Sequence, residues 1–120
     1  NMAHQSAKFA SADERKKYLD WVYELEYKVL KIPKEDIVVY LYVPWKIGYE
    51  LTKNKGDRAY LKGQSHDIAE ADLKHREDAE KMYLQLAKEK GWIQINCTEN
   101  DKLLSIEEIH SKLLSHLTFI

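Results

Sequence analysis

Five histidines and a single cysteine supply the imidazole and thiol groups of this 120-residue sequence. His4, His66, His75, His110 and His116 show no metal-type spacing with Cys97, so no zinc site is encoded by pattern. His110 and His116 fall on a capped amphipathic segment and read as surface residues. Cys97 ends a β-rich run and reads as a small core hydrophobe. A phosphate-binding loop needs Gly-x-x-x-x-Gly-Lys-[Ser/Thr], whose backbone N–H groups surround the phosphates. None of the four glycines precedes a lysine. Neither G-x-G-x-x-G nor the G-x-S-x-G nucleophile elbow is present. Taken alone, the residue types hold no complete catalytic set.

The elements that would position these residues come from one domain's length of chain. Hydrophobic residues make up 44% and charged residues 32%, at a formal net charge of −1. That balance is globular rather than disordered. Nineteen basic against twenty acidic residues give no bulk argument for a nucleic-acid partner. The longest apolar run, Ile37 to Trp45, is too short to span a bilayer, and no secretory signal pattern opens the chain. One cysteine excludes an internal disulfide, so a cytoplasmic home is expected.

Residues 2–10 read as a short helix. Ser11-Ala12-Asp13-Glu14 is a capping box, and Tyr18, Leu19, Val22, Tyr23, Leu25, Val29 and Leu30 form an apolar stripe after it. Pro33 should end that helix. Ile37 to Val43 is continuous and β-rich, which fits a strand covered on both faces. A helix over about 45–53, a polar mobile loop over 54–66 and a long helix over about 68–90 follow. Ala79, Met82, Tyr83 and Leu86 give the long helix its buried stripe. Its first half, Asp72 to Asp78, is almost all polar and should project into solvent or over a cleft. Gly91 closes it. Trp92 to Cys97 is the second strand. Ser105-Ile106-Glu107-Glu108 is a second capping box, opening a helix with Ile106, Ile109, Leu113 and Leu117 inside.

Strands alternating with helices predict an α/β fold with two parallel strands and four to five helices. Two strands are few for a sheet, which averages about five to six. The chain therefore reads as half of a doubly wound domain whose preceding strands are missing. The alternative is a small helical domain carrying one parallel pair.

Four segments carry a resemblance. Asn1-Met2-Ala3-His4-Gln5 is similar to an S-N-x-A-[YH]-Q helix opening. Leu25-Glu26-Tyr27, then Leu30-Lys31-Ile32-Pro33-Lys34-Glu35-Asp36-Ile37-Val38, resembles an approach to a core strand that continues into Tyr40-Leu41-Tyr42-Val43-Pro44. Arg58-Ala59-Tyr60-Leu61-Lys62-Gly63 and His66-Asp67-Ile68-Ala69-Glu70 look like a lid of the form R-x-Y-L-x-G, then K/R-D-I-H-E. Tyr83-Leu84-Gln85-Leu86-Ala87, the Trp92–Cys97 strand and Ser105-Ile106-Glu107-Glu108-Ile109-His110 match a closing Y-x-x-L-A, last strand and S-I-E-E-[IV]-H helix. In this order, and over nearly the whole chain, they resemble the C-terminal half of thymidylate kinase. That family is a set of P-loop kinases that phosphorylate dTMP with ATP.

The resemblance implies that residues 1–120 form the C-terminal part of a P-loop nucleoside monophosphate kinase domain, with a lid at about 54–70. It implies roles for single residues. Asn1 would set an amide against the thymine ring, offering donor and acceptor, or else cap a helix. His4 falls where relatives often place a tyrosine near the deoxyribose, and Gln5 matches a polar pocket residue. Arg58 is the catalytic candidate, a lid arginine able to close over ATP and stabilise the transferred phosphoryl group. Asp67 and Glu70 match acidic lid positions that orient the lid or cap the long helix. Tyr83 matches a family tyrosine but also lies on the core stripe.

The sequence departs from the family in three places. Tyr49-Glu50-Leu51 stands where many relatives carry an arginine after the strand. His66 and Ala69 replace a basic residue and a histidine of the lid. No residues correspond to the P-loop half. The resemblance implies ATP and Mg²⁺ as cofactors of the complete enzyme, with no motif for either here and no metal ligands assigned. The isolated chain is expected to be inactive without an N-terminal half. The alternative is a non-catalytic truncated chain that self-associates through its open sheet edge, giving a homo-oligomer. A third reading is an unrelated helical interaction module. Neither nucleic acid nor membrane is expected as a partner.

Overall fold

The computed structural model describes residues 2–53 and 66–117, side chains 53 and 66–70 excepted. Residues 54–65, which hold most of the loop expected over 54–66 and of the lid expected at about 54–70, lie outside the described residues, as does Asn1.

Helix α1 spans Met2–Ser6, and α2 spans Ala12–Tyr23. Ser11 opens α2 through its Oγ, which accepts the Glu14 N–H at 3.1 Å, satisfying one orphan donor of the first turn. The chain then runs unbroken into a π-helical segment, Glu24–Val29. Pro33 is not what ends it. Lys31 turns to a left-handed φ of 53°, and the Ile32 N–H closes back on the Glu26 carbonyl at 2.9 Å. A wider turn shifts the phase of the apolar stripe. Val22 is buried, while Val29 and Leu30 are 64% and 59% exposed.

Strands β1 (Val39–Tyr42) and β2 (Ile93–Asn96) pair in parallel, with Val39 opposite Ile93 and Tyr42 opposite Asn96. The expected parallel pair is thus present, shorter than the apolar runs that encode it. Between the strands lie α3 (Trp45–Lys53) and α4 (His66–Lys90), within the long crossover that parallel strands require. Gly91 adopts φ 67° just past α4. There the Trp92 N–H bonds the Ala87 carbonyl at 2.9 Å, closing the helix end.

Tyr40 and Tyr42 share one face of β1 by the two-residue period, and Tyr40 stacks on Tyr83 of α4, centroids 5.1 Å apart. Leu41 takes the opposite face and is 50% exposed. The expected burial of β1 on both faces is therefore corrected: among the described residues only partial cover reaches Leu41.

A second sheet was not legible in the sequence reading. Strands β3 (Thr98–Glu99) and β4 (Lys102–Leu103) form an antiparallel hairpin. Asn100 and Asp101 sit at φ 51° and 61°, the two positive values that a tight primed hairpin turn needs.

Helix α5 spans Ile106–His116. Its capping box is complete: Ser105 Oγ accepts the Glu108 N–H at 3.1 Å, and a Glu108 carboxylate oxygen accepts the Ser105 N–H at 2.8 Å. Ile106 was expected inside and is 83% exposed. It is the first residue of a helix that packs on β2, so its turn overhangs the contact. Ile109, Leu113 and Leu117 are half-buried.

The fold among the described residues is therefore mixed α/β: five helices, one parallel pair and one hairpin. Its densest core joins Ala3 and Ala7 to Ala79, Met82 and Leu86, with Leu19, Tyr83 and Trp92 packed against it. Two alanines a turn apart let the chain at α1 lie close along α4. No described helix is long and apolar enough to cross a membrane.

Candidate functional site

Helix α4 positions the polar side chains that face the rest of the molecule. Residues three and four apart share a helix face. Asp72, His75, Arg76, Glu80 and Tyr83 follow that spacing. His75 meets His4 of α1, with Nε2 atoms 3.1 Å apart. Arg76 lies over the Tyr49 ring of α3, its Cζ 5.5 Å from the centroid. Glu80 accepts the backbone N–H of Trp45, the first residue of α3. Tyr83 stacks on Tyr40. The remaining charges of this half form exposed pairs, Lys74 with Asp78 at 3.1 Å and Lys81 with Glu77 at 3.3 Å. The polar first half of the long helix thus splits into a solvated face and a face turned inward.

The Glu80 contacts lie at the carboxyl end of β1. Tyr42 is the last residue of that strand, and burial together with the nearby Glu80 carboxylate pushes its phenol above the ordinary range. Burial raises Tyr40 as well, with Glu80 contributing second. Both phenols therefore stay neutral donors in this setting. Arg76 is held from two sides, by the Tyr49 ring and by the Asp72 carboxylate at 3.0 Å. At the N-terminus of α3 the Trp45 N–H is already taken by Glu80.

Of the residues assigned from sequence, His4 is exposed and Gln5 half-buried, both on α1. Asp67 and Glu70 lie in the first turns of α4, their side chains outside the described residues. Asn1 and Arg58 also lie outside them. Tyr83 packs against the core, as its place on the stripe suggested. Cys97 is buried, and burial raises its thiol, which fits a core residue. His110 and His116 are exposed.

Sequence reasoning missed Arg76, Glu80, Tyr42 and Tyr49. The available signal was position: Glu80 stands one turn from both Arg76 and Tyr83, at the edge of the apolar stripe.

No protein-family model, curated protein or solved structure matches this chain. The chemistry of the cluster rests on its own residues.

The larger hollows lie elsewhere. A groove of about 430 Å³ runs between α2 and α4 over Leu19, Tyr23, Met82 and Leu86. Another of about 560 Å³ opens at the amino ends of the strands beside Lys34, Glu35 and Lys90. Neither lies at the carboxyl end of β1, where ligands of open parallel sheets bind. Among the described residues no group of three or more His, Cys, Asp or Glu is placed to hold a metal ion. What these residues offer is a guanidinium held by Asp72 and the Tyr49 ring and an imidazole pair between α1 and α4, while the Tyr42 phenol is engaged by Glu80.

Proposed function

We propose that this chain carries the base-side and lid elements of a thymidylate kinase-type enzyme. The complete enzyme would transfer the terminal phosphoryl group of ATP to dTMP with Mg²⁺, and it would work in the cytoplasm. The observation that carries this reading is the joining of α3 to α4 by Glu80 at the carboxyl end of β1, with Arg76 over Tyr49 and α1 packed along α4. In this reading β1 and β2 are the C-terminal strands of a P-loop kinase sheet.

His4 and Gln5 take the sugar and base side of dTMP, with the Asn1 amide at the thymine edge. Arg76 supplies a cation beside Tyr49, in the neighbourhood where relatives carry one on the helix after the strand. A guanidinium suits a nucleotide phosphate because its planar fork can donate two bonds at once. Arg58 closes from the lid and stabilises charge on the transferred group, with Asp67 and Glu70 orienting that lid. The residues of this chain do not fit the phosphate loop or the Mg²⁺ site. The sequence has no Gly-Lys pair, and the described residues hold no three-donor cluster. Both come from an N-terminal half, attached or supplied in trans.

An ATP-coupled assay with dTMP and Mg²⁺ tests the reading, run on the chain alone and with the N-terminal half of a thymidylate kinase. No turnover alone and turnover on addition is the expected result. Arg58→Ala then lowers kcat at least tenfold, and Arg76→Ala raises KM for dTMP. Kinase-like turnover by the isolated chain overturns the reading. So does failure of the combined halves to bind dTMP by calorimetry.

A second reading, a non-catalytic chain that self-associates, is favoured by the side of β1 that no described strand pairs. The carbonyls of Val38 and Tyr42 accept from Ile93 and Cys97, both at 2.9 Å. Those of Val39 and Leu41 therefore face away from β2 by the alternation of a parallel ladder. Half-exposed Leu41 lies beside them. Sedimentation velocity showing a monomer at high concentration excludes this second reading.

A further inference from the structure

Two imidazoles, 71 residues apart in sequence, meet where α1 crosses α4. The Nε2 atoms of His4 and His75 are 3.1 Å apart, and the ring planes stand at 82° with centroids 4.4 Å apart. In a neutral pair one Nε2–H donates to the other nitrogen. Two protonated rings repel at this distance. Partial burial first, then the charges of His75 and Lys8, holds His4 below the ordinary imidazole range. A metal ion needs an unprotonated nitrogen on each ring, and the pair presents its two Nε2 atoms to one another.

The spacing fits a second kind of bond. Two imidazole nitrogens on one tetrahedral zinc ion, each at the usual bond length, lie about 3.3 Å apart. The helices beneath are fixed by Ala3 and Ala7 packed against Ala79. The rings stand at the surface and must rotate out of their edge-to-face arrangement to aim both lone pairs at one point. We propose that His4 and His75 form a two-histidine site for a divalent transition metal of the zinc class, bridging α1 and α4.

Imidazole favours such ions over Mg²⁺ or Ca²⁺, which take oxygen ligands. The carboxylates one turn either side of His75 are engaged, Asp72 by Arg76 and Asp78 by Lys74. The site therefore has two protein ligands, with water completing the shell, which agrees with the lack of any three-donor group among the described residues. Lys8 opposes the cation and weakens the site. The proposal stands independently of the kinase reading.

The test is calorimetric titration of zinc chloride into the full chain near neutral pH, with melting curves beside it. One zinc per chain is expected, with affinity in the micromolar range. His4→Gln and His75→Gln each weaken it at least tenfold, while a His110→Gln/His116→Gln double variant stays within about twofold. At ten times the dissociation constant, zinc should raise Tm of the unsubstituted chain by about 5 °C and leave His75→Gln unmoved. The proposal is overturned by the absence of heat and Tm shift at submillimolar zinc. It is equally overturned by affinity that survives either single substitution.

Discussion

The carboxylate of Glu80 caps α3 from another helix, accepting the Trp45 N–H across 35 residues of sequence. This bond ties the end of β1, the start of α3 and the middle of α4 into one unit. A helix start normally finds its acceptor in its own N-cap residue. Here the residue before Trp45 is Pro44, which has no side-chain oxygen. Glu80→Ala leaves a half-buried donor without a partner and should cost about 1–2 kcal/mol in urea unfolding. Glu80→Gln keeps an acceptor and should cost less. It also removes the charge that helps raise Tyr42. The Tyr42 phenol should then titrate lower, yet stay above its ordinary value because burial, the larger cause, remains.

The Tyr40–Tyr83 stack joins β1 to α4, with planes only 12° apart. Its strength is apolar area and ring contact rather than the hydroxyls. Tyr83→Phe should therefore leave stability within about 0.5 kcal/mol, and Tyr83→Ala should cost roughly 2–3 kcal/mol. Equal losses for the two variants in denaturant unfolding would show that the hydroxyl, not the ring, makes the joint.

These joints were only half visible in the sequence. The stripe of α4 announced Ala79, Met82, Tyr83 and Leu86 because burial imposes a 3.6-residue period. Both strands showed as β-rich runs, and both serine-initiated helices showed as capping patterns. The early end of the second helix was hidden, since a π turn obeys no apolar period and Lys31 is an unusual left-handed residue. The Asn100-Asp101 hairpin was too short to show alternation. The inward face of α4 was hidden for another reason. Arg76, Glu80 and His75 acquire meaning only through partners on α1 and α3, and single-sequence periodicity says nothing about which helix lies opposite.

Tyr27 and Glu35 form a pH-sensitive latch over the π segment. The Tyr27 hydroxyl donates to Glu35 at 2.7 Å. That bond holds the Glu35 carboxyl below the usual range and pushes Tyr27 up to about 12. The two signs differ in their windows. Glu35 contributes stability above its unfolded pKa, and the contribution is lost as pH falls through the lowered folded value. Tyr27 contributes fully below pH 10, and its share is lost as pH rises through the raised value. Tyr27→Phe should raise the Glu35 titration midpoint by NMR toward the ordinary value, a backbone hydrogen bond and Lys34 keeping part of the lowering. An unmoved midpoint would mean that the bond does not persist in solution.

Gly91 and Asp101 use the same backbone region with opposite chemical fitness. Gly91 sits at φ 67° with nothing within 4 Å of an added Cβ. Gly91→Ala therefore meets no clash and suffers only the left-handed backbone cost, about 1 kcal/mol. Asp101 already pays that cost at φ 61°. Asp101→Gly turns the hairpin into Asn-Gly, the favoured pair for a primed turn. It relieves backbone strain but adds freedom to the unfolded chain, so the net gain should be smaller, about 0.5 kcal/mol. Unfolding curves of the two variants should thus move in opposite directions. A loss from Asp101→Gly as large as that from Gly91→Ala would mean that the Asp101 side chain holds the turn by a bond of its own.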